Sequence, residues 1–159
     1  MIKKLLLILI SIVVVISLMS ACGAPAKDEV VVDIDALAKE IESAGLFIDT
    51  LELITKESVL GSVLFLSTGK IEYSALYMGS GATAEEFAVF KCVSEEAAAD
   101  IVSELNVRIQ EQKARYADYA PDAVPRLNNA VIAQKGSYVL YIVSDNYQQA
   151  RKLAEESFG

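Results

Sequence analysis

The residues with chemistry to offer are three close pairs of acids, Asp33 and Asp35, Glu85 and Glu86, Glu95 and Glu96, together with seven tyrosines and the cysteines Cys22 and Cys92. Two carboxylates share acid and base work when their surroundings push their pKa values apart. Adjacent residues on a helix point in different directions, so capping and first-turn charge explain these pairs better than a reaction centre. The chain has no histidine, which removes the commonest general base, the usual nucleophilic triads and most transition-metal sites. No phosphate loop, dinucleotide fingerprint, nucleophile elbow or calcium loop occurs, and Gly79-Ser80-Gly81 lacks the lysine and following helix of a phosphate site. A hairpin turn accounts for it, and no catalytic residue, cofactor or metal is expected.

Cys22 sits differently. Lys3 and Lys4 precede an apolar run, LLLILISIVVVISL, and small residues follow it at once, the layout of a leader. Three readings compete: an uncleaved anchor helix over residues 2–22, secretion with cleavage after Ala24-Pro25-Ala26, or a lipobox ending at Cys22. Ser20, Ala21 and Cys22 resemble the end of bacterial lipoprotein signals, while Met19 stands where Leu is usual. That resemblance implies a diacylglycerol thioether on Cys22, and two acyl chains at about 0.8 kcal/mol per buried methylene hold a protein stably. The favoured division is a signal peptide over residues 1–21, lipidated Cys22 and a tether over 22–32, and one domain over 33–159. About ten such residues reach roughly 15–20 Å.

Cys92 is then the one thiol of the mature chain. A disulfide within the mature domain and a zinc site both fall away. Its apolar neighbours make it a buried structural residue rather than a reactive one. Losing residues 1–21 also removes Lys3 and Lys4, leaving 12 cations against 22 acids and a net charge of −10. A charge of that sign opposes phosphate backbones, so no nucleic-acid partner is expected.

The elements that must position these groups follow from periodicity. Val30-Val31-Val32 reads as a short strand, and Asp33 or Asp35 caps a helix whose Ile34, Leu37, Ala38, Ile41 and Ala44 share a face up to Gly45. A short extended piece at Leu51 to Leu53 precedes a short helix breaking near Gly61. Ile71 to Met78 alternates, GSGATA turns the chain, and EFAVFKCV follows with both faces apolar, as in a central strand. Ser94 with Glu95 and Glu96 starts the longest helix, which runs towards Pro121. AVIAQ and YVLYIVS form a second hairpin with Lys135 and Gly136 at its turn, and Asp145 opens a last helix. The expected fold is α+β: a mainly antiparallel sheet from two β-hairpins, with the long helix and the C-terminal helix packed on one face.

In order along the chain, DIDALAKEI, SGATAEEFAVFK, QEQKARYADYAPDAV and KGSYVLYIVSDN, behind a lipobox-like leader, resemble the domain-of-unknown-function 4358 family, small lipoproteins mainly of Clostridia-type bacteria. The resemblance runs from about Asp33 to Glu156. It implies an extracytoplasmic lipoprotein domain, and it carries no activity, substrate or catalytic residue.

The most suggestive surface stretch is YADYAPDAVPRLNN, whose two prolines read as a loop after the long helix. Tyr116, Tyr119, Asp122, Arg126 and Asn128 are its partner-binding candidates; packing of the two tyrosines at the helix end, a turn begun by Asp122 and pairing of Arg126 with an acid explain the same residues. The expected function is a non-catalytic interaction module, held to the extracytoplasmic face of the cell membrane by lipid and binding an envelope protein, a peptide or a small ligand. The alternatives are a histidine-free enzyme using tyrosine or carboxylate chemistry, an assembly accessory acting through a sheet edge, and a soluble secreted protein cleaved after Ala26.

Overall fold

The computed structural model describes residues 31–55 and 58–158. Cys22, the leader, the Ala24-Pro25-Ala26 site and most of the tether lie outside the described residues. Five antiparallel strands form one sheet: β1 Glu52–Leu53, β2 Ile71–Met78, β3 Glu86–Cys92, β4 Val131–Lys135 and β5 Tyr138–Val143, in the order β1-β2-β3-β5-β4. Helices α1 Ile34–Ser43, α2 Ser58–Ser62, α3 Glu95–Tyr119, α4 Val124–Asn128 and α5 Tyr147–Phe158 complete the expected α+β class. The two hairpins are β2–β3 and β4–β5, and pairing of β3 with β5 joins them into one sheet.

Local chemistry starts the helices as expected. Asp33 accepts from the Ala36 N–H at 3.0 Å and Ser94 from the Ala97 N–H at 3.0 Å, each satisfying a donor that the first helical turn leaves free. At α5 the cap is Asn146 rather than Asp145: its Oδ1 accepts from the Gln149 N–H at 3.3 Å. Gly136 at φ +56° and Ser137 make the second hairpin turn, leaving Lys135 in the strand, because a two-residue hairpin loop needs left-handed backbone between the paired residues. Val31 and Val32 belong to no strand.

The helices do not share one face of the sheet. Ala88, Phe90, Cys92, Val139, Tyr141 and Val143 pack beneath α3, whereas Phe87, Val89, Leu140 and Ile142 pack beneath α1 and α5. Period-two alternation gives β3 and β5 two apolar faces, and each needs its own cover. The long and C-terminal helices therefore lie on opposite sides. A bulge at Glu72 also breaks the alternation of β2, placing Ile71 with Leu76 on the α3 side while Ala75 and Tyr77 face α1.

The segment expected as a loop after α3 is helical. Tyr116 to Tyr119 end α3, a 3₁₀ turn spans Pro121–Ala123, and α4 follows. Both prolines stand in first turns, where a missing N–H costs nothing and a fixed φ suits the helix. On the α1 side, Phe87 is fully buried between Tyr77 and Phe47, with ring centroids at 4.6 and 5.5 Å. Phe87→Ala should destabilise the domain by about 3–5 kcal/mol in urea unfolding. Val31→Ala, at 82% exposure, should leave the midpoint unchanged.

Candidate functional site

The ends of β2 and β5 and the start of β3 meet at one end of the sheet, since Met78 pairs with Glu86 and Glu86 with Val143. The polar residues gather there. Glu85 and Glu86 are 2% and 3% exposed, and as consecutive residues entering a strand they turn to opposite sides. Ala84 before them has a left-handed φ of +61°.

Glu86 points beneath α3. Arg108 grips it with both arms, Nε to Oε1 at 3.0 Å and Nη2 to Oε2 at 2.8 Å, and the Tyr141 hydroxyl donates to Oε1 at 2.7 Å. The remaining Arg108 arm, Nη1, donates to the Val63 carbonyl at 2.7 Å. Burial alone would lower the pKa of that guanidinium; the Glu86 charge outweighs it and holds the pKa up. The same burial, together with the Glu86 charge, pushes the Tyr141 phenol well above its usual range.

Glu85 accepts from three backbone N–H groups, those of Asp49 at 2.8 Å, Asp145 at 2.8 Å and Ile48 at 3.0 Å. Arg126 lies 3.8 Å away and binds Asp145 through Nη2 at 2.8 Å. Beside it, Asp49 accepts from the Ser80 hydroxyl at 2.7 Å, the Ser80 N–H at 2.9 Å and the Thr83 hydroxyl at 3.1 Å. A Cβ on Gly79 would stand 2.7 Å from Asp49 Oδ2, so this approach requires glycine. The Ser80 hydroxyl, then its N–H, hold the Asp49 carboxyl below its usual range.

The five sequence candidates divide. Tyr116 is buried, donates to the Gly81 carbonyl at 2.7 Å and packs against Tyr119 at 4.8 Å between centroids. Arg126 belongs to the Glu85–Asp145 group, pairing with an acid 19 residues along the chain. Tyr119 at 58% exposure, Asp122 and Asn128 remain on the surface, and the five do not converge on one cavity. Sequence reasoning missed Glu85 and Glu86, read there as turn and capping charges. The available signal was their place at the head of a strand with two apolar faces, which forces both acids inside. Burial pushes the Cys92 thiol up to about 11, which keeps it protonated near neutral pH.

Among the described residues a cleft of about 450 Å3 reaches Arg108 between Phe65, Val107 and Glu111, and others lie away from the paired acids. One of about 400 Å3 follows the outer edge of β2 past Asp35, Leu60 and Thr68, and one of about 350 Å3 runs between β4 and α5. No group of acids and cysteines among the described residues is placed to hold a metal ion. No described helix is long and apolar enough to cross a membrane.

The description "Domain of unknown function (DUF4358)" matches residues 56–144. The chain belongs to that family. Comparison with curated proteins and with solved structures gave no match. The DUF4358 match takes in β2 to β5 and α3 but leaves out α1 and α5. Those two helices cover Phe87, Leu140 and Ile142, so in this chain the folded unit extends on both sides of the matched segment.

Removing one partner of a buried ion pair strands the other, so Arg108→Ala should cost about 3–5 kcal/mol in urea unfolding. Replacing Glu86 and Arg108 by Met and Tyr141 by Phe together should cost less than that single change. For Asp49 the folded pKa lies below the usual 3.8. Its contribution is therefore complete above that value and is lost as pH falls through the lower folded one. Asp49→Asn should flatten the fall in midpoint on acidification below about pH 4, read by thermal melts across a pH series.

Proposed function

We propose that this DUF4358 protein is a lipid-anchored, non-catalytic binding module on the extracytoplasmic face of a bacterial cell membrane. The observation that carries the non-catalytic part is the commitment of its buried acids. Glu86 is bound to Arg108 and Tyr141, and Glu85 to three backbone N–H groups. A general acid or base must face its substrate with a proton to give or take, whereas these carboxylates face the fold. The thiol of Cys92 is buried and protonated, so it offers no nucleophile either.

Support for the anchor comes from Met19-Ser20-Ala21-Cys22 behind its basic and apolar leader. Glu85 and Asp49 tie the 46–50 loop to the turn before β3 and to the end of β5. The result is a stiff end of the sheet on which Tyr119, Asp122 and Asn128 stand exposed. A rigid frame carrying exposed polar and aromatic side chains suits recognition at low entropic cost.

Mass spectrometry of the N-terminal peptide from detergent-extracted protein should find diacylglycerol on Cys22, and Cys22→Ser should move the protein from the membrane to the soluble fraction. A mature peptide beginning at Lys27 would overturn the anchor and leave a secreted protein.

A further inference from the structure

The two edges of the sheet are finished differently. On β2 the edge is covered by β1 and by the Ile54 N–H, which donates to the Leu76 carbonyl at 2.8 Å; it is then broken by the bulge at Glu72. Short cover, a bulge and a charged side chain are among the devices that blunt an edge against pairing. On β4 neither cover nor bulge is present among the described residues, and its one charge, Lys135, stands at the turn end of the strand. Its register with β5 is regular from Val131 to Lys135, it contains no proline, and no strand lies beyond it.

Across the two-residue turn Lys135 and Tyr138 bond to one another, so Ala133 and Val131 also bond inwards to β5. Ile132 and Gln134 therefore direct their N–H and C=O groups outwards. Beside them lies the cleft of about 350 Å3, floored by Val131, Ala133, Ala154 and Phe158 and rimmed by Arg151 and Glu155. Arg151 and Glu155 are exposed and one helical turn apart, a spacing that allows them to pair. They make no ion pair with each other or with any described residue, whereas Lys152 and Glu156, one place along, pair at 3.7 Å.

We propose that the β4 edge binds a second copy of this chain, β4 against β4 about a two-fold axis at Ala133, giving one continuous sheet of both copies. The surface is complementary to itself. Antiparallel pairing about Ala133 sets Ile132 opposite Gln134 of the other copy and closes four backbone hydrogen bonds, with the small Ala133 side chains meeting at the axis. The same axis exchanges the two ends of α5, so Arg151 of each copy faces Glu155 of the other. That reciprocity is what singles out a second copy over an unrelated strand, for which one basic and one acidic rim residue express no preference. The inference does not depend on the lipid anchor, although anchoring would raise the encounter rate by holding copies in one plane.

The test is sedimentation equilibrium of the full chain in density-matched detergent over a concentration series, with a Cys22→Ser protein run alongside. A dimer is expected in both, so loss of the anchor and loss of the interface are told apart. Arg151→Glu should weaken the dimer at least about tenfold by setting acid against acid, and Arg151→Glu with Glu155→Arg should restore it. All these proteins should keep the parent melting temperature as monomers, since both side chains are exposed. The amides of Ile132 and Gln134 should exchange more slowly as concentration rises. A monomer at every concentration, a dimer indifferent to Arg151→Glu, or a double variant that fails to recover would each overturn the proposal.

Discussion

The Glu86–Arg108 pair is the constraint to which the rest of the domain answers. A buried carboxylate is tolerable only with a partner, and the partner here comes from the middle of α3. Through Arg108 the pair fixes where α3 crosses the start of β3. Through Tyr141 it reaches β5, and through the Val63 carbonyl it holds the turn after α2. It also sets register: a slip of one residue in β3 would bring Glu85 beneath α3 and send Glu86, with every core side chain of the strand, to the other face. The hydrophobic pattern of a strand apolar on both faces resists such a slip weakly, because either face accepts most of its residues. The ion pair distinguishes them.

Glu85 does the complementary work chiefly with backbone N–H groups, with the Arg126 guanidinium 3.8 Å away. Its oxygens collect N–H groups from Ile48, Asp49 and Asp145, donors that would otherwise be unmet at the ends of loops. Consecutive acids thus stitch opposite sides of one sheet end, Glu86 to the helix layer and Glu85 to the connecting loops. Asp49 extends the second set to Ser80 and Thr83. These loops are held by charge-assisted hydrogen bonds, which is how a surface formed mostly from connections keeps a defined shape.

Much of this was legible in the sequence, and what was missed has physical causes. The caps at Asp33 and Ser94, the two hairpins and the length of α3 depend on local chemistry, and local chemistry is what periodicity and turn residues report. The apolar pattern of EFAVFKC marks a central strand, yet its second consequence, a helix layer on each side, needs a count of faces to be covered. The prolines at 121 and 125 resemble breakers until it is known that each opens a helical turn. The site was less legible than the fold. Arg108 sits on a long charged helix with nothing nearby in sequence to mark it, and its partner is 22 residues away. Charges that meet only through tertiary packing leave no spacing to read.

With those charges consumed inside, what distinguishes the surface is the finish of its two sheet edges, and the surface is uneven in an informative way. The domain spends a short strand, a bulge and an acid on closing the β2 edge, so open edges are not tolerated by default. The β4 edge keeps its regular ladder, has neither cover nor bulge among the described residues, and has beside it an apolar cleft and two opposite charges that pair with no described residue. An exposed regular edge is a hazard for any protein. An edge left this open is better explained by use than by neglect, because the covering of β2 shows how little structure its protection would have required.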